Sequence, residues 1–115
     1  MNLENILNDR SIRIIAQLLN RFIDRERNIY RFDVIDSVKR ARSPEELLDA
    51  LYRALREVPS LTRATGREVL VPSANDIAKV VDAARKSKED FNMVKNVIAC
   101  YALSYSVYVG EGYVH

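Results

Sequence analysis

Six cations in the 115-residue chain stand without an evident charge partner on their own segment: Lys39, Arg42, Arg63, Arg67, Arg85 and Lys88. Scattered guanidinium and ammonium groups suit one chemistry above others, the neutralisation of phosphate along a nucleic-acid backbone, which needs positive charge but no reading of base edges. Other cations are discounted, because Asp36 and Arg40, Asp49 and Arg53, and Asp82 and Lys86 are spaced four apart, where opposite charges meet on a helix surface. Arg63 and Arg67 flank the turn residue Gly66 in a stretch with little competing purpose, which makes them the strongest individuals. The expectation is that Arg63, Arg67, Arg85 and Lys88 lie together near one end of a helical hairpin. The opposing reading is a solvated surface. On the first reading, changing Arg63 and Arg67 together to Glu weakens nucleic-acid binding by the assembled complex at low salt.

Catalytic chemistry has little to work with. His115 is the only histidine and the last residue, so a histidine triad or a multi-histidine metal cluster is excluded by count. Cys100 is the only cysteine, which rules out an internal disulfide and a CxxC site, and its apolar helical surroundings mark it as a small core residue. The carboxylate pairs Glu45/Glu46 and Glu89/Asp90 fall in the first turns of helices, where the dipole already favours negative charge. With three glycines the chain has no Gly-rich phosphate cradle. No enzymatic activity, cofactor or metal is expected. Of the six tyrosines, Tyr101, Tyr105 and Tyr108 read as core or subunit-interface residues, whereas Tyr30, between Asn-Ile and Arg31-Phe32, sits in a basic setting where a ring could stack on an unpaired base.

The elements that must position these groups are helical. Hydrophobic residues make up 48% and charged residues 30% of the chain, with only three Gly and three Pro, which favours a packed helical domain over disorder or a turn-rich sandwich. A net charge of +2 permits nucleic-acid contact without establishing it, so distribution must decide. The first ten residues, MNLENILNDR, are not those of a signal peptide, and with a single cysteine they suit a reducing cytoplasm.

Residues 3 to 26 have the apolar stripe of one helix, interrupted near Asn8 and Asp9, with Phe22 and Ile23 on its inner face. Asp33 is expected to cap a helix from Val34 to about Arg42. Ser43-Pro44-Glu45-Glu46 is the clearest start signal in the chain, and Pro59 is expected to end the helix it opens. Periodicity then lapses from Ser60 to Pro72. Glu68-Val69-Leu70-Val71 is the one strand-like run there, so residues 61–71 form either a small hairpin or an extended connector. Ser73 with Asp76 opens a helix to about Lys86, and Ser87 with Asp90 opens another that Gly110 is expected to stop. The latter carries no charged side chain between Asn96 and Gly110, and must be buried on most sides. Together these predict a single all-α domain over residues 1–115, a bundle of about five helices with at most one small β-hairpin near residues 61–71.

The run Val71-Pro-Ser-Ala-Asn-Asp-Ile-Ala-Lys-Val-Val, followed by Ala-Arg-Lys-Ser-Lys-Glu-Asp and the small-residue helix Val97-Ile-Ala-Cys-Tyr-Ala-Leu-Ser-Tyr, resembles the second half of the small subunit of archaeal type I-A CRISPR interference complexes. The resemblance covers roughly residues 70 to 109. It implies a non-catalytic subunit, present in several copies, that contacts guide RNA and target DNA backbone beside the other subunits of the effector complex and helps hold the target open. The family carries a β-containing insertion between its helices, to which only residues 61–71 correspond here. It supplies no motif-defined binding residues. The alternative is a helical protein-interaction or oligomerisation module with no nucleic-acid contact, whose Tyr-rich helix docks a partner.

Overall fold

Serine hydroxyls set the frame of the fold, because each satisfies a backbone N–H that the first turn of a helix leaves unpaired. In the computed structural model, which describes residues 3–111 and the side chains of residues 4–104, Ser43 Oγ accepts from Glu46 N at 3.2 Å, Ser73 Oγ from Asp76 N at 3.0 Å and Ser87 Oγ from Asp90 N at 3.0 Å. At Ser73 the box is complete, since the Asp76 carboxylate accepts from Ser73 N at 3.0 Å. That backbone N–H, with help from the Ser11 hydroxyl, holds the Asp76 carboxyl below its ordinary range. The three expected helix starts are observed.

The helices are α1 (Leu3–Leu7), α2 (Arg10–Asn20), α3 (Phe32–Lys39), α4 (Pro44–Arg56), α5 (Val58–Thr65), α6 (Ala74–Arg85) and α7 (Lys88–Glu111). A two-stranded antiparallel hairpin, β1 (Ile23–Asp24) and β2 (Ile29–Tyr30), stands between α2 and α3, with Ile23 opposite Tyr30 and Asp24 opposite Ile29. The protein is thus a mostly α bundle with one small hairpin. The break near Asn8 is present, and Asp9 caps α2 by accepting from Ile12 N at 3.0 Å.

Several sequence expectations need correction, the cap of α3 among them: the helix opens at Phe32 behind Arg31, with Asp33 inside its first turn. The hairpin lies at 23–30, not at 61–71. Helix α2 stops at Asn20 because Asp24 accepts from both the backbone and the guanidinium of Arg27, building a turn that Asn28 completes at φ 57, a left-handed conformation Asn tolerates. Residues 58–65 are helical because Pro59 falls in the first turn, where its missing N–H costs nothing, so the proline that follows α4 also opens α5. Glu68-Val69-Leu70-Val71 is no strand; Leu70 and Val71 are exposed and lie in an irregular connector that follows the left-handed Gly66. Finally, α7 continues through Gly110 to Glu111, since glycine weakens a helix interior by about 1 kcal/mol but does not forbid it.

The core forms where α7 meets α2 and α6. Ile6, Ile15, Leu19, Val94, Ile98 and Ala102 are fully excluded from water, and the bundle is closed by Leu47 and Leu51 of α4 and Val38 of α3. Tyr101 is half-buried with its hydroxyl donating to Leu7 O at 3.1 Å, which agrees with a packing role; the side chains of Tyr105 and Tyr108 lie outside the described residues. Cys100 departs from expectation. It is exposed, on a strip of α7 with Asn92, Asn96 and Ser104 that faces away from the other helices. The seam between α6 and α7 is the helical hairpin that the short connection at Lys86-Ser87 implied. Among the described residues, no helix is long and apolar enough to cross a membrane.

Candidate nucleic-acid interface

Two turns meet at one end of the bundle. The turn between α3 and α4, residues 40–43, faces the bend between α6 and α7, residues 86–87, and the contact is fixed by Lys95 on α7. Its ammonium donates to Ala41 O at 2.8 Å and stands 4.6 Å above the centre of the Phe91 ring, so the charge is bonded on one side and held by the ring's negative face on the other. Between the turns is a cleft of about 470 Å³ lined by Arg40, Arg42, Arg85, Lys88 and Lys95, with Phe91 at its apolar base. Among the described residues, no acidic one lines it. Both Ser43 and Ser87 are on its wall, so the starts of α4 and α7 turn the positive ends of their dipoles toward the same space.

The nearest compensating charge is Glu45, whose carboxylate meets Arg85 Nη1 at 3.1 Å. Both side chains are largely in water, where such a pair is worth less than about 1 kcal/mol and is open to competition from phosphate. Arg85 is therefore not the free cation that the sequence suggested. The reverse holds for Arg40: its supposed partner Asp36 forms no ion pair with it within 4.0 Å, and neither Asp49 with Arg53 nor Asp82 with Lys86 does so among the described residues. Spacing along a helix permits such pairs without enforcing them, because two long side chains lose rotamer freedom to hold one geometry.

The structure brings together three of the six predicted residues, Arg42, Arg85 and Lys88. Lys39 is exposed on the last turn of α3, next to Arg40 but outside the cleft wall. Arg63 and Arg67 do not join them. Arg63 is exposed on α5, donating to Ser60 Oγ at 3.2 Å, and Arg67 borders a separate depression of about 260 Å³ with Asn20, Asp24, Arg27 and Glu68. The two depressions share no residue, so the expected single cluster of Arg63, Arg67, Arg85 and Lys88 is not what the fold makes. Arg40 and Lys95 are the members that sequence reasoning missed. Arg40 was set aside for its spacing from Asp36, and Lys95 gains its place only through a turn 54 residues away.

Comparison with known proteins gives one informative relative. Over 89 residues the chain is 34% identical to the uncharacterized protein MJ0380 of Methanocaldococcus jannaschii, a match that spans 77% of this chain and 74% of the relative. The chain belongs to the family of MJ0380. No protein-family model matches it. Among the described residues, no group of three His, Cys, Asp or Glu side chains is placed to hold a metal ion.

Proposed function

We propose that the chain is a non-catalytic subunit that grips the sugar–phosphate backbone of nucleic acid, and that it works as the small subunit of an RNA-guided CRISPR interference complex of the type I-A kind. The observation that carries the first half is the acid-free cleft between the two turns, with four exposed cations at its mouth. Four phosphate contacts give a salt slope of roughly −3 on a single strand, which makes one copy a weak binder. Several copies along one strand convert weak contacts into a stable hold. The second half rests on the resemblance of residues 70 to 109, the segment that supplies α6, the bend and α7, and with them Arg85, Lys88 and Lys95.

A second reading, a protein-interaction module, has exposed Leu70 and Val71 in its favour. Salt separates the two, because phosphate binding falls steeply with added salt while apolar docking does not. The deciding experiment is co-purification of the tagged full chain from its native source, with identification of the accompanying RNA and proteins. A short repeat-flanked guide RNA with other effector subunits, lost on raising salt, supports the proposal. A stable protein partner with no nucleic acid at any salt overturns it in favour of the second reading.

A further inference from the structure

At the opposite end of α3 from the basic cleft, two aromatic rings stand in water. Tyr30 is 50% and Phe32 46% exposed, yet their centroids are 6.4 Å apart and their planes within 17° of parallel. Large exposed aromatics in a small domain need a reason, and this pair is held rather than frayed. Arg31 N donates to Phe22 O at 2.9 Å, and the Arg31 side chain bonds both oxygens of Asp33 at 2.9 Å and Glu57 at 2.7 Å, tying the junction of β2 and α3 to the end of α4. That guanidinium is engaged through Nε and Nη2, and it holds the Asp33 carboxyl below its ordinary range. Two other cations are not occupied. Arg21, at the end of α2, and Arg25, in the turn after β1, flank in sequence the strand residue Ile23 that pairs with Tyr30, and both are exposed with no carboxylate within 4.0 Å among the described residues.

We infer that Tyr30 and Phe32 form a stacking platform for unpaired bases of single-stranded nucleic acid, with Arg21 and Arg25 holding the adjoining phosphates. The inference rests on the proposed backbone-binding role and deepens it, giving that site a preference for an opened strand. Base faces stack on aromatic rings whatever the sequence, while a paired base in a duplex cannot reach them. Tyr, Phe and Arg are also enriched where proteins dock on one another, so self-association is measured beside nucleic-acid binding to separate the two. Helix α3 rises roughly 12 Å over its eight residues, so a strand of a few nucleotides can engage platform and cleft at once.

The test uses the full chain with Tyr30→Leu and Phe32→Leu, which keep apolar bulk and remove the π faces, alone and combined. Binding to a 20-nucleotide single strand and to a duplex of the same length is measured at low salt, together with self-association. The double variant is expected to lose about tenfold or more on the single strand with duplex binding and salt slope unchanged. Equal losses on both substrates, or none, overturn the platform and leave the cleft reading standing. Loss of self-association with nucleic-acid binding intact assigns the patch to a second copy of the chain and overturns it too. If the wild-type chain binds neither substrate, the backbone-binding role itself fails and the platform with it.

Discussion

Five cations line the end of the bundle where the 40–43 turn meets the 86–87 bend, and two, Arg63 and Arg67, stand on the flank formed by α5 with its connector; the fold treats the two groups oppositely. At the bundle end, residues separated by half the chain converge on one acid-free cleft around Lys95. On the α5 flank, Arg63 and Arg67 are neighbours in sequence but Arg63 turns to Ser60, while Arg67 shares its depression with Asp24, Glu26 and Glu68. The lesson is that a basic site is made by which turns meet, and local spacing of positive charges is a poor guide to it.

The largest effect expected on this contrast is on stability. Ile98→Ala empties a fully buried position in the middle of α7 and should cost about 2–5 kcal/mol, whereas Leu70→Ala on the exposed connector should stay within about 0.5 kcal/mol. Denaturant midpoints of the two variants check this. Next comes binding: Arg42→Glu with Lys88→Glu should weaken single-strand affinity at low salt by tenfold or more and make the salt slope shallower by about 1.4, the value of two lost phosphate contacts. The matched pair Arg63→Glu with Arg67→Glu should do clearly less, and equal effects from both pairs would erase the distinction between the two regions.

Smaller effects sharpen the comparison at the level of backbone. Ser43→Ala removes the cap of α4 at the cleft wall and should cost about 1 kcal/mol. Gly66→Ala on the other flank meets no atom within 4 Å, so its cost, roughly 1 kcal/mol in thermal or chemical unfolding, comes from the left-handed backbone alone. The smallest effect is on acid stability. Because the folded state depresses the Asp76 carboxyl, the complete capping box stabilises the protein above the ordinary carboxylate value of 3.8, and this contribution fades as pH falls below it. Unfolding curves of Asp76→Asn should be less stable than wild type at neutral pH and should converge on it in acid.

The serine caps were legible in sequence because their chemistry is local: a hydroxyl, three residues and a backbone N–H decide each one. The apolar stripes of α4, α6 and α7 were legible for the same reason. What escaped reading was set at a distance. The turn at Asp24 and Arg27 overrides an apolar stripe that would extend α2, and Arg27 Nε reaches across to Thr65 O at 3.2 Å, which no pattern within either segment announces. Pro59 was read for the helix it ends and not for the one it begins. Cys100 followed its apolar neighbours in sequence but fell on the strip of α7 that no helix covers. Three of the five cleft cations, Arg42, Arg85 and Lys88, were visible; Arg40 was hidden by its spacing from Asp36, and Lys95 needed its tertiary contact with Ala41.

The account depends on where nucleic acid touches the protein, and an amide chemical-shift titration of the ¹⁵N-labelled full chain with a short single-stranded oligonucleotide at low salt observes that directly. The largest shifts are predicted at residues 40–44 and 85–95. Shifts confined to residues 60–71, or a spectrum unmoved by excess oligonucleotide, would contradict it.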